Sequence, residues 1–88
     1  MKSVKKIKCP CCSNYTIDKY EEIIVEICPV CFWQYDWVAQ NNPKVVIGPN
    51  NVSLEEAKIN YQKYGVSEII FKDEVRTPFI DELPQNNK

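Results

Sequence analysis

The chain has 88 residues, with 11 basic and 12 acidic side chains, five cysteines and no histidine. That length makes one domain with a core too small to confer more than marginal stability by apolar burial alone. The absence of histidine rules out a Cys–His pair, the two isolated glycines, Gly48 and Gly65, rule out a phosphate-cradling loop, and no stretch approaches the roughly 20 apolar residues of a membrane span.

Residues 1–8 read as a basic lead-in, with Lys2, Lys5, Lys6 and Lys8 ahead of Cys9 and a first strand expected at Val4 to Lys8. The charge resembles a signal-peptide start, but no apolar run follows, so the expected compartment is the cytoplasm. Beyond Lys8, seven basic residues face twelve acidic ones, a net charge of −5. An acidic body argues against binding to a nucleic-acid backbone.

Cys9-x-x-Cys12 and Cys28-x-x-Cys31 follow, with fifteen residues between the pairs. Five cysteines inside a cell point to metal rather than disulfides. Two residues between ligands let a tight turn aim both sulfurs at one ion, and the separation of the hooks is that of a tetrahedral zinc site. The expected ligands are Cys9, Cys12, Cys28 and Cys31, holding one Zn2+ per chain. Closed four-coordination leaves no place for water or substrate, so the ion is expected to be structural and the chain not to be an enzyme. A single iron in a rubredoxin-like electron carrier suits the same ligands. Cys11 is left over: it is a spacer pointing away from the ion, a reactive thiol, or a replacement for Cys12 through a C-x-C hook. Pro10 and Pro29 each follow the first cysteine of a pair, where a fixed φ suits the corner of a turn.

Between the hooks, Tyr15, Ile17, Ile23, Val25 and Ile27 alternate with polar residues, which predicts a β-hairpin turning near Asp18-Lys19. Ile24 breaks the alternation. Residues 9–37 are therefore expected to form a zinc-ribbon-like unit, ending in the aromatic group Phe32, Trp33, Tyr35 and Trp37. These aromatics are expected to cover the metal site, with Asp36 capping a turn, unless one tryptophan is exposed as a partner hot spot. Residues 38–52 read as a loop whose Val45-Val46-Ile47 tucks back onto the body. Residues 53–65 carry the clearest helix signal. Ser53 and Glu56 form a capping-box pattern, Leu54, Ala57, Tyr61 and Tyr64 make one apolar stripe, and Gly65 sits at the C-terminal cap. In the C-terminal segment 66–83, Ile69-Ile70-Phe71 suggests a short strand or buried segment, and Arg76 is expected to pair with an acidic neighbour. Residues 84–88 read as a disordered tail.

The strings Cys9-Pro10-Cys11-Cys12, Ile27-Cys28-Pro29-Val30-Cys31-Phe32-Trp33, Asn51-Val52-Ser53-Leu54-Glu55-Glu56-Ala57 and Val75-Arg76-Thr77-Pro78 occur in that order. The set resembles the bacterial cysteine-rich CPCC family over about Lys8 to Glu82. The resemblance implies zinc binding and no established activity. Ser13 stands where such proteins usually carry glycine, which bears on the geometry of the first knuckle. Gln34-Tyr35-Asp36 replaces a more acidic stretch.

The expectation is an α+β domain over residues 1–88: a zinc-ribbon or rubredoxin-like two-knuckle β-hairpin with one packed helix. The expected function is a zinc-stabilised protein-interaction module of the immunity or accessory class. The alternatives are a nucleic-acid-binding zinc ribbon, using the Lys2–Lys8 arm, and an iron electron carrier. The oligomeric state is not legible.

Overall fold

The computed structural model describes residues 5–19 and 26–87. Strand β1, Lys5–Lys8, pairs antiparallel with β2, Tyr15–Lys19. Ile7 lies opposite Ile17 and Lys6 opposite Asp18, where the two side chains form an ion pair. A register shift between Ile7 and Lys8 sets Lys8 opposite Tyr15. The first cysteine hook thus forms the tip of this hairpin.

This pairing changes the expected topology. Asp18-Lys19 continues the strand and does not turn, and β2 finds its partner upstream of Cys9. Alternation identifies a strand but says nothing of which neighbour completes its ladder. Val4 and the expected return strand through Ile23, Ile24 and Val25 lie outside the described residues. Just beyond them, Ile27 makes one antiparallel bridge with Gln34, and Tyr35 N–H donates to Glu26 O at 2.8 Å. The second hook is the tip of that shorter pairing. On the other side of Gln34, the Asn50 carboxamide substitutes for a strand: Gln34 N–H donates to Asn50 Oδ1 at 3.0 Å, and Asn50 Nδ2 donates to Gln34 O at 2.9 Å.

The segment expected as a loop from residue 38 begins with a short helix, α1, Trp37–Asn41. Asp36 is its N-cap and accepts from Val38 N–H at 3.2 Å, the capping role expected of it. Val45, Val46 and Ile47 do not tuck inward but stay exposed. The loop is instead held by polar backbone contacts, including Glu55 N–H to Pro43 O at 2.8 Å. That bond satisfies one of the free N–H groups at the start of helix α2, Leu54–Tyr64.

Helix α2 follows its sequence signals. Ser53 Oγ accepts from Glu56 N–H at 3.1 Å, and Gly65 closes the other end with φ 76° and its N–H on Tyr61 O. Leu54 and Ala57 are buried and Tyr61 packs partly against the core, but Tyr64, at the end of the stripe, is half exposed. The core they cover consists of Ile17, Val30, Trp33 and Ala39 around the cysteines. Burying a residue such as Ile17 or Val30 contributes about 1.5–3 kcal/mol. Among the described residues the buried large aliphatic side chains are Ile17, Val30, Leu54 and Val66, and a core of that size confers only modest stability.

After α2, Ile69–Glu74 forms a 3-10 helix and not a strand. Ile69 and Ile70 point outward, while Phe71 stacks on Phe32 with ring centroids 4.5 Å apart. A run of three apolar residues carries no period that separates these outcomes. Two further 3-10 turns, Ile80–Glu82 and Pro84–Asn86, follow. The tail expected to be disordered is therefore placed as far as Asn87, whose Nδ2 donates to Asp81 O and Leu83 O, both at 2.8 Å. Among the described residues no helix is long and apolar enough to cross a membrane.

Candidate metal centre

Each hook is built by the same backbone pattern. In the first, Cys9 N–H donates to Asn14 O at 2.8 Å and Ser13 N–H donates back to Cys9 O at 2.9 Å. In the second, Cys28 N–H donates to Trp33 O at 2.9 Å and Phe32 N–H donates back to Cys28 O at 2.8 Å. Both turns close through a residue of positive φ, Ser13 at 70° and Phe32 at 68°. A right-handed conformation there would carry Asn14 O and Trp33 O away from the N–H groups of Cys9 and Cys28 that they accept from. The result is two equivalent knuckles, each directing two sulfurs to one side.

The Sγ atoms of Cys9, Cys12, Cys28 and Cys31 all lie within 4.8 Å of one another, and all four residues are buried. The close pairs cross between knuckles: Cys9 to Cys31 at 3.6 Å and Cys12 to Cys28 at 3.7 Å. Sulfurs about 2.3 Å from a tetrahedral ion stand about 3.8 Å apart. The cluster therefore fits one four-coordinate metal ion, and its sulfurs are free thiols without disulfides. These four cysteines, expected as ligands from their spacing, are positioned to bind a metal. Cys11 is buried too but stands outside the quartet.

Packed this closely, the four sulfurs act on one another's protonation. Hydrogen bonds from Cys12, then from Cys31 and Cys9, hold Cys28 far below the ordinary thiol range. Contacts led by Cys12 push Cys9 up, and contacts led by Cys11 push Cys31 up. A divalent cation at the centre would stabilise all four as thiolates.

Among the described residues, Cys28 has polar neighbours besides the other cysteines. Thr16 Oγ1 lies 2.9 Å from its sulfur, and Val30 N–H donates to it at 3.4 Å. The Thr16 hydroxyl donates once the thiol has lost its proton, offsetting charge on the sulfur. Thr16 is a buried polar residue on β2, so the first hairpin helps stabilise a ligand of the second knuckle. Sequence reasoning missed it. Its only signal was a hydroxyl residue one turn beyond the first hook, which has no meaning until the knuckles are placed together.

Other elements brace the cluster. Asn14 Nδ2 donates to Tyr61 Oη at 3.3 Å, joining the first knuckle to α2. Ser67 N–H donates to Cys31 O at 2.7 Å, and Arg76 N–H to Pro29 O at 3.1 Å, joining the C-terminal segment to the second knuckle. Arg76 pairs with an acidic neighbour as expected, through Nη1 to Glu82 Oε1 at 2.8 Å and Nη2 to Oε2 at 2.9 Å. Trp33 is fully buried beside the cysteines, whereas Trp37 is 65% exposed, so the aromatics divide between core and surface.

No curated protein and no solved structure matches the chain. A sequence model of one family does, described as cysteine-rich CPCC, and it matches residues 7–82. That span contains both knuckles, α2 and the Arg76–Glu82 pair, and on it the chain belongs to the cysteine-rich CPCC family.

Proposed function

We propose that this chain is a non-enzymatic protein-interaction module organised by one structural Zn2+ on Cys9, Cys12, Cys28 and Cys31, in a zinc-ribbon-like arrangement. The observation that carries the reading is closure: four buried sulfurs surround one point, with separations suited to a tetrahedral ion. Such a centre has no open position for a substrate or an activated water. The ion's work is to hold two knuckles, α2 and the C-terminal segment in one arrangement, and surface contact is then the means of action. The half-exposed or exposed apolar side chains, Trp37 foremost, supply surface of the kind that partners bury. A cytoplasmic immunity or accessory role is the class that fits a small acidic body of this kind.

Elemental analysis of freshly purified protein tests the metal. One zinc per chain in a colourless sample supports the reading, and a red sample with visible absorbance and one iron supports an electron carrier instead. The interaction role is tested by Trp37→Ala, which should weaken partner capture without shifting the melting temperature. Turnover dependent on the bound ion would overturn the non-enzymatic reading. A gel shift at low salt with the acidic body intact would favour the nucleic-acid alternative.

A further inference from the structure

We propose that the groove between α2 and the start of the 3-10 helix Ile69–Glu74 binds a peptide segment that presents a large aliphatic side chain beside lysine or arginine. This rests on reading the chain as a protein-binding module and specifies the chemistry of its partner.

One wall is a ridge spaced by four along α2 and its approach: Val52, Glu56, Asn60 and Tyr64. The other is Glu68, Ile69 and Ile70. The space between them is an open groove of about 310 Å³, at the small end of the roughly 300–1,000 Å³ typical of ligand sites. Its apolar lining is unusually bare: Ile70 is 71% exposed, Ile69 51% and Tyr64 50%. Its charged lining is of one sign among the described residues: Glu56 and Glu68 are carboxylates, and none of the described lysines or arginines lines it. An aliphatic side chain can cover the isoleucines while a neighbouring cation meets the two acids, and an acidic segment would be repelled.

The walls are fixed before any partner arrives. Asn60 Nδ2 donates to Ser67 O at 2.8 Å, tying the helix ridge to the opposite wall. Ser67 N–H in turn binds Cys31 O, and Phe71 stacks on Phe32 of the same knuckle. The cysteine cluster therefore sets the width of the groove, and a preorganised groove spends less of its binding energy on ordering.

The test is a titration of the zinc-loaded, 15N-labelled full chain with a peptide of alternating leucine and lysine about eight residues long. The same peptide with glutamate for lysine is the comparison. The expected result is a set of amide shifts confined to residues 52–70, with the glutamate peptide at least about tenfold weaker. The Glu56→Gln/Glu68→Gln double variant should weaken the lysine peptide about tenfold, and Ile70→Ser should weaken both peptides, with melts unchanged. No shifts, shifts centred elsewhere, or equal binding of the two peptides would overturn the proposal. So would dimerisation of the free chain through the same residues, with the basic lead-in of a second copy as occupant. The spectrum before titration separates this from the metal reading. Dispersion that survives chelation undermines structural zinc, whereas a chelator-sensitive, dispersed spectrum that no peptide perturbs removes the groove alone.

Discussion

Ser13 and Phe32 occupy equivalent places, each four residues beyond the first cysteine of its knuckle, and both hold left-handed backbone at φ 70° and 68°. Each donates its N–H to the carbonyl of that first cysteine. A non-glycine residue in this region carries about 1–2 kcal/mol of strain. The two side chains differ in what they return for it. Ser13 is only partly buried, whereas Phe32 stacks on Phe71 and anchors the segment after α2.

Ser13→Gly should therefore stabilise the metal-loaded chain by about 1 kcal/mol, since it relieves the strain and removes little packing. Phe32→Gly relieves the same strain but gives up an aromatic pair, and should destabilise. Paired urea melts measure both. A Ser13→Gly variant less stable than its parent would show that the hydroxyl matters more than the backbone.

Chelating the ion should unfold the chain. Structural zinc in finger peptides binds with an apparent energy of about 10–16 kcal/mol, comparable to the stability of a whole domain. Cys28→Ser should lose stoichiometric metal and melt without cooperativity, while Cys11→Ser should retain one ion per chain. Loss of the ion from Cys11→Ser with retention in Cys12→Ser would reassign the ligand to the C-x-C hook.

Thr16→Val keeps the shape of the side chain but removes the hydroxyl from the Cys28 sulfur. Removing a partner of a metal ligand typically lowers affinity by about 10–100-fold. Competition with a chromogenic chelator should show a loss of that order, and Thr16→Ser should restore most of it. Equal affinities for all three would make the 2.9 Å contact incidental.

The Arg76–Glu82 pair should make the C-terminal segment sensitive to acid. The Arg76 guanidinium beside Glu82, helped by Phe79 N–H at 2.8 Å, holds that carboxyl below the usual carboxylate range. A depressed folded value stabilises the native chain above the unfolded value, about 4.3 for glutamate, and the benefit fades as pH falls through the folded value. Glu82→Gln should cost about 1–3 kcal/mol at pH 7. The gap between variant and parent, compared at each pH, should narrow below about pH 4. A gap that is absent at neutral pH, or that widens in acid, would contradict the assignment.

Much of the candidate site was legible because its information is local. Two residues between cysteines, repeated once, nearly determine which sulfurs can meet, since a tight turn offers few other directions. Helix α2 was legible for the same reason: Ser53, Glu56 and Gly65 act within one turn of their own positions. What Ile69-Ile70-Phe71 would do was not, because three apolar residues carry no period and their fate depends on where Phe32 waits.

The amino-acid order by itself determined the two cysteine hooks, the capped helix and the acidic balance, all of which follow from spacing, side-chain chemistry and count; that Cys12 and not Cys11 joins the quartet came from the fold. Only the tertiary structure decided that β2 pairs back to Lys5–Lys8, that Asn50 completes the edge of Gln34, and that Thr16 reaches Cys28. The Asn50 and Thr16 contacts join residues 16 and 12 apart in the chain, and the β1–β2 ladder, though local to the first knuckle, is one of two directions in which an alternating strand can pair, so none of the three is set by the pattern of neighbouring residues.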